Sequence, residues 1–246
     1  MIRSYIREMK FQKMKMISST FVILFSWLPF FIFSKKEMIN ITAEDGILES
    51  LTAFFLFSAS VTFFLSNKKH NLFIYALSFI LFFGAGEEIS WGQRIFNIQT
   101  PDELKSMNVQ GEITLHNLEI FNRTNFDNSY KSGIRNLLTM DVLFRIFSFS
   151  FGILLPFLVF HINFIKKITI QLKIPVPPIT IGIFFLLTYI CLRLILVFVG
   201  TDIDTKLATP EVFEFSASYI WFMIGLYFYT NRNSIILGQD IKNSFA

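Results

Sequence analysis

The stretch LFIYALSFILFFGAG, residues 72–86, runs directly into Glu87 and Glu88, and the fold follows from asking where such a segment can lie. An uncharged apolar run of this kind belongs in a protein interior or in a bilayer core, and its neighbours decide between the two. Comparable runs occupy 17–33, 47–65, 142–160, 179–199 and 212–229, most of them approaching the roughly 20 residues that a hydrocarbon core requires. Composition agrees: the chain is 53% hydrophobic with 33 Phe, and its 16% charged residues fall below the ~25% of soluble domains. The apolar residues come in long blocks, not in the alternating segments of about ten residues of an outer-membrane barrel. The expected fold class is all-α, a polytopic transmembrane helical bundle of about six spans forming a single integral membrane domain over 1–246. A partly helical extracytoplasmic loop, 97–136, joins spans three and four.

The 72–86 run is the shortest of the later spans. It is either re-entrant or a helix that continues to about 96 with charge in its last turns, and Ile89, Trp91, Ile95 and Phe96 favour the continued helix. The first run follows the basic residues of 3–15 and resembles a signal peptide, but 31–36 offers no small-residue processing site, so it is expected to stay uncleaved. Cys191 is the single cysteine, which rules out an intrachain disulfide or a thiolate metal site.

Lysine and arginine set the orientation. With six spans both termini share one side, and that side holds the basic residues of 3–15, Lys68, Lys69, Lys166, Lys167, Lys173, Arg232 and Lys242. Both termini are therefore expected in the cytoplasm, and the uncleaved first span points to a plasma (inner) membrane. All acidic residues except Glu8 and Asp240 then fall outside or near the outer ends of the spans. The pI near 9.1 reports this topology and not a nucleic-acid footprint.

Many of those outer acids have an ordinary explanation. Helices that begin outside favour acids and caps in their first turn, which suits Glu44 and Asp45, Asp141, and the Thr209-Pro210-Glu211 triplet. Glu87 and Glu88 resist it, because they stand at the C-terminal end of their span, where negative charge is disfavoured. If the helix persists, Glu87, Trp91 and Arg94 share a face and an internal ion pair is available. Gly84, Ala85 and Gly86 form a small patch that lets another helix approach.

Ionisable residues also recur at similar depth on other spans: Glu49, Arg145, Arg193 and Glu214. Charges at such depth are costly and should turn inward to meet in one outward-facing cavity. Its excess of carboxylates calls for protons, Arg94, a metal ion or a cationic substrate in compensation. In the loop, Thr100, Pro101 and Glu103 read as a capping box that starts a short helix. Glu112, His116 and Glu119 share a face if helical, with spacing from which carboxylate and imidazole ligate a metal. Read as a strand, the same residues are an ordinary half-buried pattern with a structural histidine.

The succession GEEISWGQRIF at 86–96, Thr100-Pro101, Asn108, Gln110, Glu112 and Leu115-His116-Asn117 resembles a group of bacterial multi-pass membrane proteins with no assigned activity, over about residues 44–120. The resemblance implies membrane placement and adds Asn117 to the residues of interest. No H-E-x-x-H, G-x-S-x-G, P-loop or dinucleotide glycine pattern is present.

Three functions follow as expectations. The first is a metal-dependent hydrolase or transferase acting on a lipid or lipid-linked substrate. Glu87, Glu88, Arg94 and His116 would be catalytic, and Glu88, Glu112 and His116 would hold a divalent metal. Arg145, Arg193, Glu49, Glu214 and Asn117 would bind substrate, the arginines taking an anionic head group. The second is a structural, partner-binding subunit whose charges are internal ties. The third is a cation- or proton-coupled transporter built on the same carboxylates.

Overall fold

The computed structural model describes residues 16–43, 46–68, 70–127 and 129–232. The basic residues of 3–15, the cap acids Glu44 and Asp45, and Lys69, Asp240 and Lys242 lie outside the described residues. Eight helices carry the architecture: α1 Met16–Ile32, α2 Lys35–Ile41, α3 Ile47–Ser66, α4 Leu72–Glu88, α5 Met140–His161, α6 Asn163–Gln171, α7 Ile179–Phe198 and α8 Ile203–Thr230. The described residues contain no strand, only isolated bridges between Asn108 and Leu118 and between Thr124 and Tyr130. The protein is all-helical, and α3, α5, α7 and α8 are long and apolar enough to cross a membrane. Helix α1 is a shorter apolar helix, and α4 has 17 residues.

Local chemistry explains most boundaries. Ser34 and Glu37 form a reciprocal capping box at the start of α2, with the Ser34 N–H donating to the Glu37 carboxylate at 2.8 Å. Asn71 caps α4 by accepting from the Phe73 and Ile74 N–H groups. Helix α8 starts at Ile203, nine positions before the apolar run that reveals it, because Asp202 caps it by accepting from the Thr205 N–H. Thr209, Pro210 and Glu211 are therefore not a helix start. They lie inside α8, where Pro210 is carried within the helix and Glu211 is turned toward the interior of the bundle.

Helix α8 is the central element. It packs along α3 and against α7, and α4 lies on the far side of α3. Trp221 of α8 is fully buried, stacks on Phe147 at 4.8 Å between ring centroids, and donates its indole N–H to Ser148 Oγ at 2.9 Å. Between α3 and α4, Ser60 and Ser78 each donate a hydroxyl to the other's backbone carbonyl, at 2.8 and 2.9 Å. Such reciprocal bonds join helices where apolar surface alone gives no preference for a partner. Ser26 of α1 meets Ser216 of α8 through a single hydroxyl-to-hydroxyl hydrogen bond of 2.9 Å.

A π turn at Ser150–Leu154 interrupts α5 just before Pro156, whose ring and missing N–H disturb the ladder four residues back, at Gly152. There α5 touches α7 almost backbone to backbone: a Cβ on Gly182 would lie 1.7 Å from the Gly152 carbonyl oxygen. At one end of the bundle, Lys35 Nζ lies 2.8 Å from Asp202 Oδ2 and joins α2 to the start of α8. That hydrogen bond, against a small desolvation and helped by Thr205, pulls the Asp202 carboxyl down to about 2.

Two outcomes check this packing. Gly182→Val should lower stability by about 1–3 kcal/mol or more through overpacking, seen as a lower unfolding midpoint in detergent; an unchanged midpoint would rule out the close contact. Because Asp202 is depressed in the folded chain, the Lys35 tie should be complete above about pH 4 and vanish as pH falls through about 2. Lys35→Met should return the carboxyl midpoint toward about 3.9, read by carbon NMR of labelled Asp.

Candidate functional site

Helix α4 ends at Glu88, and the chain reverses through Ser90, Trp91 and Gly92, all with positive φ (48°, 52° and 73°). The expected continuation of the helix to about 96 does not occur, so Glu87 and Arg94 do not pair. The reversal folds the Trp91 ring back onto Gly86, where a Cβ would come within 2.7 Å of it. The small residue at 86 is thus needed by Trp91, not by a neighbouring helix.

Glu87, Ser90, Gln93 and Arg94 of the GEEISWGQR stretch each take a partner from the loop. Glu87 Oε2 accepts the Leu115 and His116 backbone N–H groups at 2.6 and 2.8 Å, and His116 Nδ1 lies 3.3 Å from the same oxygen. Glu87 Oε1 accepts the Trp91 indole N–H at 2.7 Å. Glu112 is buried and takes Arg94, the Ser90 hydroxyl at 2.9 Å and the Asn117 amide at 3.2 Å. Gln93 spans Thr100 and the Ile113 N–H, and Thr100 donates to the Gly111 carbonyl. Thr100 therefore does not cap a helix; the single turn Asp102–Lys105 begins after Pro101 without a side-chain cap. Asn108 closes the 108–114 turn through the N–H groups of Gln110 and Glu112 and the carbonyl of Thr114.

Glu112, His116 and Glu119 are not on a helix face, and Glu119 is exposed. Nor do Glu88, Glu112 and His116 gather: Glu112 is held by Arg94 and Ser90, and His116 by Glu87. Among the described residues no group of three His, Cys, Asp or Glu side chains is arranged to hold a metal ion. The motif residues mainly fasten a loop to the end of α4.

The docked loop roofs a cavity of about 630 Å³ bounded by α2, α3, α4, α5 and α8. Glu49, Glu87, Glu88 and Glu214 line it, as their depth suggested, and so do His116 and Asn117 of the loop. Arg94 and Glu112 do not, being turned into the loop. Arg145 does not either: it pairs with Asp141, sits 5.6 Å over the Phe213 ring and lines a separate shallow recess with Phe149 and Tyr189. Arg193 is exposed on α7, away from the cavity. The arginines expected to hold an anionic head group are thus absent from the cavity wall.

Three charged lining residues escaped the sequence reading. Arg123, from the loop, donates to Glu211 at 2.8 Å and to the Leu207 carbonyl at 3.2 Å. Burial opposes its charge, but Glu211, Asp141 and Glu214 outweigh that and raise the guanidinium further above its ordinary value. Asp141 and Glu211 read as first-turn acids, and the early start of α8 was the signal that would have moved Glu211 inward. Nothing in the pattern around Arg123 separates it from a solvated loop residue.

Glu88 and Glu214 remain. They come from α4 and α8, both line the cavity, and neither carboxylate makes a hydrogen bond among the described residues. No known family, curated protein or solved structure matches this chain. The geometry therefore has to speak for the function.

Glu87→Ala should release the loop, since hydrogen bonds to a buried charge contribute about 1.5–3 kcal/mol each. The expected readout is faster amide exchange at Leu115 and His116 with little change in α7; equal protection in the variant would show that Glu87 is not the anchor.

Proposed function

We propose that this chain is an integral protein of a bacterial plasma membrane, with six spans, both termini cytoplasmic and the cavity opening outward. The topology is supported by the six apolar helices, the clustering of basic residues at one end and the resemblance of residues 44–120 to bacterial multi-pass proteins. The reading of its activity is a hydrolase or transferase acting on a lipid or lipid-linked substrate, with Glu88 and Glu214 as the acid–base pair. One observation carries this: two carboxylates from different helices, without hydrogen bonds, face one half-enclosed cavity whose wall is mostly apolar.

Carboxylates placed together divide the roles of proton donor and proton acceptor. One would protonate the departing oxygen or nitrogen of the substrate while the other takes a proton from the attacking water or acceptor hydroxyl, so that the bond broken is replaced by the bond formed and the protons balance. Glu87 and His116 act indirectly, by holding the roof over the pair.

The alternatives fit less well. In a purely structural subunit the charges would neutralise one another, as Arg123 with Glu211 and Arg145 with Asp141 do, yet Glu88 and Glu214 have no such tie. A transporter requires a polar route to the other face, whereas below the cavity α3, α7 and α8 meet in Phe63, Phe185, Trp221 and Phe228.

Purified protein incubated in vesicles of total bacterial lipid should change the lipid composition seen by mass spectrometry. Glu88→Gln and Glu214→Gln should each slow that change by about 100-fold or more, with Glu119→Gln as an unaffected control. A lipid profile that wild-type protein leaves unchanged in every fraction would overturn the enzymatic reading.

A further inference from the structure

Helices α4 and α5 both border the cavity, but α4 packs on α3 while α5 packs on α7 and α8, and the two make little direct contact. The space between them is lined by Ile80 and Phe83 on one side and Phe144 and Phe147 on the other. Ile80 lines the cavity and is 48% exposed, so the apolar end of the cavity is not sealed along α4. A pocket reached through an apolar gap between membrane-spanning helices is accessible to a hydrocarbon chain from the bilayer, and its volume is within the usual range for a bound small molecule.

The other end of the cavity is strongly acidic. Its wall includes the carboxylates of Glu49, Glu87, Glu88, Asp141, Glu211 and Glu214, against the guanidinium of Arg123 and the imidazole of His116. Arg123 is already engaged by Glu211, Arg145 reaches Asp141 from outside, and Glu87 is occupied by the loop N–H groups. What remains facing the open space among the described residues is carboxyl groups, including the two that make no hydrogen bond. A phosphate or carboxylate head would meet those groups with no lysine or arginine among the described lining residues outside the Arg123–Glu211 pair to receive it, which is unfavourable in a desolvated site. An ammonium head would complete charge-assisted hydrogen bonds to Glu88 and Glu214.

We infer that the ligand of this cavity is a long-chain amine: an amphiphile whose positively charged nitrogen sits between Glu88 and Glu214 while its chain leaves through the gap between α4 and α5. The inference rests on the cavity being the ligand site and refines the substrate class. The apolar gap sets the chain, the uncompensated carboxylates set the sign of the head, and the Arg123–Glu211 pair closes the wall against anionic lipids.

The test compares hexadecylamine with hexadecyl phosphate as competitors of a fluorescent long-chain amine bound to wild-type protein in nanodiscs of neutral lipid. The amine should bind at least about tenfold more tightly than the phosphate, a difference of about 1.4 kcal/mol. Glu88→Gln combined with Glu214→Gln should weaken the amine about tenfold or more and narrow the preference, and Ile80→Trp with Phe144→Trp should slow its association. Equal binding of the two competitors, tighter binding of the phosphate, or no saturable amine binding would overturn the inference. The head-group preference is read on the unaltered chain, so it decides the matter even if a variant fails to fold. Amine binding without any lipid turnover would leave this inference standing and remove the enzymatic reading. Glu88-dependent turnover of lipid with no preference for the amine would do the reverse.

Discussion

The carboxylate of Glu87 accepts the backbone N–H groups of Leu115 and His116, and the whole loop-bearing end of the bundle depends on that acceptance. A negative charge at the C-terminal end of a helix is opposed by the helix dipole and, when buried, by desolvation. Four contacts from Trp91, Leu115 and His116 offset both costs and convert an unfavourable position into an anchor. Glu112 repeats the arrangement in the opposite direction, a loop carboxylate satisfied by Arg94 and Ser90 at the end of α4. Two buried carboxylates, one on each partner, clasp the loop to the helix.

That clasp explains how adjacent acids come to have different jobs. Successive residues on a helix point about 100° apart, so fixing Glu87 toward the loop leaves Glu88 facing the bundle interior. There it lines the same cavity as Glu214, carried by α8, with the anchored loop across one side. Two further wall carboxylates are paired with guanidinium groups: Glu211 with Arg123 and Asp141 with Arg145. Their neutrality makes the lack of partners at Glu88 and Glu214 the distinctive electrostatic feature.

The helical bundle and most of its apolar segments were legible because long uncharged runs have few other places to go. The depth argument also placed Glu49, Glu87, Glu88 and Glu214, from three helices, around one cavity. It failed where burial was satisfied locally. Arg145 finds Asp141 one turn away and never reaches the cavity, and Arg193 stays on an exposed face of α7. Helical spacing likewise misread the loop: Glu112, His116 and Glu119 look like one face on paper, but backbone bonds around Asn108 and the positive φ of Gly111 fold the segment into turns. The early start of α8 was hidden because Asp202 to Glu211 is polar, so hydropathy marks only the part of the helix among other apolar elements. Arg123 was invisible for the same reason that loops are, since its partner lies 88 positions away.

The account's central claim is that Glu88 and Glu214 line one cavity whose acidic end opens on the outer side of the membrane. In a chain with Cys191→Ala, the double variant Glu88→Cys, Glu214→Cys tests it directly by treatment of intact cells with a short, membrane-impermeant bifunctional thiol reagent. The account predicts an intramolecular cross-link joining α4 to α8, formed from outside and blocked by prior external labelling with a monofunctional reagent. Labelling of either position only from the cytoplasmic side, or labelling of both without any cross-link, would contradict it.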